Sequence, residues 1–333
     1  TGPLDTPRYQ SEAWLAGLVL LPADRRVPVR IPTAHVSLSD RVLRIHKARV
    51  AVDTEESNLS GVIHHQKLHP QTLDLSLEGK LSAQILRLAI PHTFNHVSGR
   101  ARASLRIQGD PDHPALSGAL ALDPIAFTLR GSGREFAILG GNLDIRNRRI
   151  RVKELRGSVD DGTYVVDGSI AMGRSWPWDM DIVVRGQGIP LKKPRAYELE
   201  LNARVRFRCR DGQTSLSGHV DVADGRYTEP FDVVSRAFLK RRLEDAEPAL
   251  WESNPLLKNA DLNLLVATHG PLLVKNNLAD IRLEGNIALG GTPVKPTFGG
   301  RITAESGTFR IPFLRGEYTV QSGEVDFDHP FGF

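Results

Sequence analysis

Tyr197–Arg210 reads YELELNARVRFRCR, and this stretch decides the fold. Every second residue from Tyr197 to Cys209 is apolar or small, and every residue between them is Glu, Asn or Arg. Successive side chains of a β-strand point to opposite faces, so the pattern predicts one strand with an apolar face and a polar face. Its 14 residues span roughly 46 Å at ~3.3 Å each, whereas a common strand has about five or six residues.

The same alternation recurs along most of the chain. A second long case, LDLSLEGKLSAQI, covers residues 73–85. Shorter cases cover residues 101–107, 116–122, 281–289 and 318–327. Strands with alternating apolar and polar residues are typical of antiparallel sheets, in which one face is covered and the other faces solvent. The sequence therefore predicts an all-β fold, a long, twisted antiparallel sheet with more than about 45% strand, against a usual 20–25%.

One segment favours a helix. After Pro230, the residues Phe231, Val234 and Phe238 recur at spacings of three and four, and Pro248 ends or kinks the segment. We therefore expect one short amphipathic helix, within residues 231–245, inside the β array.

Composition excludes several classes of protein. The 333 residues include 43 Lys+Arg and 39 Asp+Glu, a net charge of +4 that is too small for a protein that mainly neutralises phosphates, so we expect no nucleic-acid partner. The single cysteine, Cys209, excludes an internal disulfide and a cysteine-based zinc site. The most apolar run, residues 13–23, has 11 residues, about half the length of a membrane-spanning helix.

Internal similarity is present but degenerate. The tripeptide Leu/Val-Ser-Gly occurs four times, and its glycines are Gly61, Gly99, Gly118 and Gly218. A longer frame of glycine, proline and apolar positions is shared by residues 109–122 and 291–304. The intervals between glycines indicate repeat units of several strands each.

Catalytic motifs are absent from the sequence. It contains no Gly-x-Ser-x-Gly elbow, phosphate loop or His-Glu-x-x-His motif. We interpret the pair His92 and His96 and the cluster His64, His65 and His69 as solvated side chains, because a zinc site needs a third ligand at a defined spacing. We therefore expect no enzyme, no cofactor and no metal site.

Basic residues form a ladder and a cluster. The ladder alternates with the apolar positions of Tyr197–Arg210, and the cluster lies within residues 146–156. Both suit a solvated outer face that is paired with Asp and Glu across strands, and contact with lipid head groups is the alternative. The members are Arg204, Arg206, Arg208 and Arg210, and Arg146, Arg148, Arg149, Arg151, Lys153 and Arg156.

Two longer motifs carry a family resemblance. Residues 280–327 read DIRLEGNIALGGTPVKPTFGGRITAESGTFRIPFLRGEYTVQSGEVDF, and residues 262–277 read LNLLVATHGPLLVKNN. They resemble the C-terminal region of the TamB family, which belongs with the AsmA-like, bridge-like lipid transfer proteins of the bacterial envelope. The resemblance extends over residues 109–333, and residues 1–108 share only the general β-array character.

The resemblance implies a sheet curled lengthwise into an open groove that is apolar inside and polar outside. We expect an N-terminal β array (1–108), a β-groove repeat unit (109–230), a helical insert (231–258) and a truncated C-terminal unit (259–333). The residues expected to line the groove are Leu73, Leu75, Leu77, Leu199, Leu201, Val205, Phe207, Leu283, Ile287 and Ile302.

The implied function is conduction of phospholipids between the inner and outer membranes, or help in assembly of outer-membrane proteins such as autotransporters. The implied partners are phospholipid acyl chains and an outer-membrane barrel of the TamA type. The implied location is the periplasm, with an inner-membrane anchor upstream of Thr1 and further strands beyond Phe333.

Three alternatives stay open from the residues alone. The apolar face could be covered by a second sheet, which would give a packed sandwich. The chain could be a structural or chaperone-like scaffold that presents strand edges to client proteins. A transmembrane β-barrel also alternates apolar and polar positions, although 4 Trp and 5 Tyr are few for two aromatic girdles.

Overall fold

The computed structural model describes residues 10–21, 27–90, 93–173, 178–230, 254–270, 272–310 and 316–327. Strands hold 78% of these residues and belong to one 19-stranded sheet, so the predicted all-β fold is confirmed. The strands are β1 (Gln10–Leu20), β2 (Val29–Ser39), β3 (Val42–Val52), β4 (Glu55–Gln66), β5 (His69–Ser82), β6 (Phe94–Gly109), β7 (Ala115–Leu129), β8 (Glu135–Arg146), β9 (Arg149–Val159), β10 (Gly162–Ala171), β11 (Asp179–Lys193), β12 (Tyr197–Arg210), β13 (Gln213–Tyr227), β14 (Asp261–Thr268), β15 (Leu272–Lys275), β16 (Ala279–Thr292), β17 (Lys295–Phe309), β18 (Tyr318–Val320) and β19 (Gly323–Asp326).

Helical structure in the described residues is short. A 3-10 turn (Ala83–Ile85) leads into α1 (Leu86–Ala89), and α2 (Pro255–Lys258) precedes β14. In the sequence the alternation extends to residue 85, but strand β5 ends at Ser82. The Ser82 hydroxyl accepts a hydrogen bond from the Gln84 N–H at 3.3 Å and caps the turn that follows. The helix expected within residues 231–245 lies outside the described residues.

The chain divides into two compact units. The first contains Thr1–Gly157 and Asp167–Asp179, and the second contains Ser158–Val166 and Met180–Phe333. In the first unit, each strand from β1 to β8 pairs antiparallel with the next. In the second, β11, β12 and β13 pair antiparallel, as do β16 with β17 and β17 with β18 and β19. The four-part division expected from the sequence stays a prediction.

One ladder differs from the predicted antiparallel pattern. Strand β13 pairs in parallel with β14 and β15, and both of these pair antiparallel with β16. Parallel neighbours need a connection of about a dozen residues or more to return the chain to the same end of the sheet. The stretch between Tyr227 and Asp261 is long enough to do so.

The repeated glycines lie where strands approach too closely for a side chain. Gly218 has φ +147° and lies opposite Val205, and an added Cβ would lie 2.1 Å from the Arg204 carbonyl oxygen. Gly118 has φ +135°, and its added Cβ would lie 2.0 Å from the Ser104 carbonyl oxygen. All four Leu/Val-Ser-Gly glycines have positive φ and the same backbone crowding. Such glycine positions, together with β-bulges, bend strands.

A cluster of buried hydrophobic residues lies in the first unit. Ala83, Val97 and Ile125 are buried there, and partly buried side chains pack against them. Those neighbours are Leu86, Phe94, Leu122, Phe127 and Ile138. The short helical segment after β5 therefore covers one end of the apolar face of β6, β7 and β8.

Candidate apolar binding face

The side chains of strand β12 alternate between the two faces of the sheet in the second unit. Leu199, Leu201, Val205 and Phe207 are half-buried, and Cys209 is buried. The arginines of the ladder, which alternate with these residues, are exposed. The sequence-derived assignment of faces on this strand therefore agrees with the structure.

Apolar rows continue across strand after strand in this unit. In the Val205 row, each residue is the cross-strand partner of the next, from β11 through β12, β13, β14 and β16 to β17. Five steps of about 4.8 Å give a path of roughly 24 Å across the strands. The row consists of Val184, Val205, Gly218, Leu264, Leu289 and Phe298.

A second row crosses β11, β12, β13, β15, β16, β17 and β19. This Leu199 row consists of Leu191, Leu199, Gly225, Leu272, Leu283, Ala304 and Gly323. Ile287 lies between Val266 and Gly300, and Ile302 lies between Gly285 and Val325. All three predicted lining residues after β15, Leu283, Ile287 and Ile302, are half-buried.

The first unit has rows of the same kind. Leu73, Leu75 and Leu77 on β5 are half-buried. The Leu75 row crosses seven strands, from β1 to β7, and consists of Ala13, Val36, Ile45, Gly61, Leu75, Ile107 and Leu116. The structure thus places all ten predicted residues on apolar faces, three in the first unit and seven in the second. Their contact with lipid stays a prediction.

A cleft lies at the Leu199 row of the second unit. Its volume is about 300 Å³, at the lower end of ligand-pocket volumes. Its lining residues are Leu191, Tyr197, Leu199, Tyr227, Leu272 and Val274. Of the predicted lining residues it contains Leu199. Leu272 and Val274 were not predicted as cleft residues because their proximity to Leu199 depends on the β13–β15 pairing, which leaves no local signal in the sequence.

The Tyr227 hydroxyl gives the cleft a polar margin. Burial raises the pKa of Tyr227, and the nearby Glu229 carboxylate adds to the increase. The hydroxyl donates a hydrogen bond to Glu229 Oε2 at 3.3 Å. The cleft therefore combines aliphatic walls with two tyrosine rings, and the Tyr227 hydroxyl is protonated at neutral pH.

Much of the apolar face remains accessible. Phe298, in the Val205 row, is 56% exposed, and Val325, opposite Ile302, is 54% exposed. The predicted lining residues themselves are half-buried.

The opposite face carries ion pairs across strands. Arg206 donates two hydrogen bonds to Asp181, at 2.6 and 2.5 Å, and Arg208 lies 3.7 Å from the same carboxylate. The hydrogen bond from Arg206 is the main reason why the pKa of Asp181 is lowered. In the first unit, Arg106 holds the pKa of Asp74 down in the same way, through bonds of 3.0 Å.

The basic cluster near β8 and β9 also has partners. Arg146 lies 3.0 Å from Asp144, Arg156 lies 3.7 Å from Glu154, and Arg148 donates to the Gly173 carbonyl at 2.8 Å. The ladder therefore pairs across strands as the first of the two interpretations predicted, whereas the ion pairs of Arg146 and Arg156 in the cluster lie within one strand.

The histidines singled out in the sequence differ in their surroundings. His64, His69 and His96 are exposed, and His92 lies outside the described residues. His65 is only 6% exposed, so its interpretation as a solvated side chain is wrong. A register shift between His64 and His65 breaks the alternation there. Its Nδ1 accepts from the Leu68 N–H at 3.4 Å, and its Nε2 has no hydrogen-bond partner among the described residues.

Comparison with known proteins gives one match. The family model described as TamB C-terminal domain matches residues 153–330. Neither a curated protein nor a solved structure matches the chain. Among the helices of the described residues, none has the length and apolar character needed to cross a membrane.

Proposed function

Since the chain belongs to the TamB C-terminal domain family, we propose that it carries phospholipids by holding their acyl chains on its apolar faces. Family membership implies the bacterial envelope as its setting, with a role in envelope protein assembly or lipid transport. The identity of the cargo and the path that it follows are our proposal.

The accessible apolar rows carry this proposal. A sheet face that is apolar over many strands must be buried against something, and large exposed apolar patches mark sites of interaction. The Val205 row crosses six strands without a charged residue and ends at a half-exposed phenylalanine. The other face carries cross-strand ion pairs, which keep it in water.

The chemistry suits flexible acyl chains. Burial of each CH₂ group contributes about 0.8 kcal/mol, so a chain that lies along one row is held without any directional bond. The lining is mostly aliphatic, and its cross-strand spacing offers similar contacts at every strand. This function makes and breaks no covalent bond, so we propose a non-enzymatic role without a cofactor.

We further propose the periplasm as the location, with anchoring to the inner membrane through sequence outside this chain. The proposed partner at the outer membrane is a barrel of the TamA type. These assignments rest on family membership.

The test introduces a carboxylate into the lipid path. In Leu201→Asp and Leu283→Asp, an unpaired charge would lie in an apolar row, at a cost above 1.4 kcal/mol, which lowers lipid affinity by at least about tenfold. The readouts are mass spectrometry of lipids that co-purify with the chain and transfer of fluorescent phospholipid between vesicles. The matched control is Ser217→Asp, because Ser217 lies opposite Arg206 on the polar face.

We expect both apolar-face variants to lose lipid and transfer while the control keeps them, with circular dichroism unchanged in all three. Equal lipid occupancy in folded wild type and both apolar-face variants would refute the proposal.

A scaffold for protein assembly is the second candidate. It is favoured by β1, where Trp14 is 72% exposed, Val19 54% and Leu20 56%. Extended client segments could add to such a strand through main-chain hydrogen bonds. Photo-crosslinkers at positions 19 and 201 separate the two candidates. Lipid adducts at 201 support conduction, whereas protein adducts at 19 without lipid adducts at 201 support the scaffold.

A further inference from the structure

Three metal-ligating side chains meet on the polar face of the first unit. Glu12 lies on β1, His35 on β2 and His46 on β3. One carboxylate oxygen and one ring nitrogen from each histidine all lie within 4.8 Å of one another. The closest pair is His35 Nε2 and Glu12 Oε1, at 2.5 Å.

The strand register explains this meeting. Glu12 is the cross-strand partner of Ser37, and Trp14 is the partner of His35, so Glu12 and His35 are diagonal neighbours on one face. On the other side, Val36 pairs with Ile45 and His35 with Lys47. His46 is therefore an extra residue in a β-bulge. Bulges re-aim side chains, and this one turns the His46 ring onto the face that carries His35.

Ring stacking holds the two imidazoles in place. The Trp14 ring stacks on His35 at 4.7 Å with an interplanar angle of 6°, and the His35 ring stacks on His46 at 4.5 Å. The Ser37 hydroxyl lies 2.9 Å from His46 Nε2. Because these contacts already restrict the rings, little side-chain entropy is left to lose when a ligand binds.

We propose that Glu12, His35 and His46 bind one divalent transition-metal ion of the Zn²⁺ type. Two imidazole nitrogens and one carboxylate oxygen are a donor set that zinc accepts, with water in the fourth tetrahedral position. With metal–ligand bonds of about 2.0–2.1 Å, tetrahedral donors lie roughly 3.3 Å apart. The three donor atoms lie within 4.8 Å of one another, so modest shifts of the side chains separate the present arrangement from that spacing.

The surroundings set the strength of the site. Lys47 lies opposite His35, and Arg44 lies opposite Ser37, so both cations share the face. Their charge opposes a dication, and the Glu12 carboxylate offsets part of it, so we expect a lower affinity than the same three ligands would have without these cations. A bound ion would tie β1 to β2 and β3. The site is on the polar face and does not depend on lipid binding.

Zinc titration calorimetry of the whole chain tests this site. We expect one equivalent of Zn²⁺ in the wild type, and an affinity at least about tenfold lower in His46→Ala and Glu12→Gln. Because Glu12→Gln keeps the shape of the side chain, it also serves if His46→Ala does not fold. The matched control is His269→Ala. His269 and His219 both contact Asp221 Oδ1, at 2.9 and 2.7 Å, so they form a second group of two histidines and one carboxylate away from the proposed site.

A second readout is thermal unfolding. Excess Zn²⁺ should raise the midpoint of the wild type and of His269→Ala, and should leave that of Glu12→Gln unchanged. The proposal is overturned if the wild type takes up no zinc, if a folded His46→Ala or Glu12→Gln titrates like the wild type, or if zinc uptake is lost with His269 instead.

Discussion

The glycine of the last Leu/Val-Ser-Gly tripeptide offers the sharpest test of how the sheet is built. In Gly218→Ala, the backbone at φ +147° would be strained, and the new Cβ would lie 2.1 Å from the Arg204 carbonyl oxygen and 2.9 Å from the Val205 Cα. Backbone in this region costs about 1–3 kcal/mol for a residue with a side chain. Moving β13 away from β12 would weaken roughly two ladder hydrogen bonds at about 1 kcal/mol each. We therefore expect a loss of about 3–5 kcal/mol in the free energy of unfolding.

The assay is urea unfolding followed by circular dichroism, with two matched variants. Gly212→Ala has a positive φ of +78° but no atom within 4 Å of the new Cβ, so it should cost only about 1–2 kcal/mol of backbone strain. Gly118→Ala repeats the crowding in the first unit, where the Cβ would lie 2.0 Å from a carbonyl oxygen, and should match Gly218→Ala. If Gly218→Ala costs no more than Gly212→Ala, then close strand approach is not the reason for the tripeptide.

Two further predictions concern pH. The Arg206 hydrogen bond lowers the pKa of Asp181, so its contribution to stability is present above about pH 4 and is lost as pH falls through the lowered pKa. The difference in unfolding free energy between the wild type and Asp181→Asn should therefore shrink below pH 4, and a constant difference would contradict it. Burial raises the pKa of Tyr164 to about 12, so stability should fall as pH rises from about 10 to 12. Urea midpoints of Tyr164→Phe should fall less over that range, and parallel curves would argue against this.

The faces of the strands follow from the sequence because the side-chain period of a strand is two. Within Tyr197–Arg210, all four arginines of the ladder are exposed and every alternate residue is at least half-buried. Period alone does not show where a strand stops. Ala83 and Ile85 continue the alternation, yet the hydroxyl of Ser82 caps a turn and ends β5.

Pairing between distant strands is the part that local pattern does not contain. Leu272 and Val274 read as an ordinary short apolar run, and their place beside Tyr227 depends on a parallel ladder across a long connection. The cluster of Glu12, His35 and His46 was also not predicted from the sequence. The β-bulge that turns His46 toward His35 arises from strand pairing, and no residue pattern within β3 indicates it.

The parallel ladder between β13 and β14 also has a kinetic consequence. Strands β12 and β13 are joined by Asp211 and Gly212 alone, so their contacts close a very short loop. Between β13 and β14 the chain spans about 33 residues, and the closure entropy for that loop is larger by roughly 2–3 kcal/mol. Hairpins on either side should therefore form first, and docking of β14–β16 onto β13 should limit the folding rate of the second unit. Shortening the connection should accelerate folding of this unit while unfolding keeps its rate.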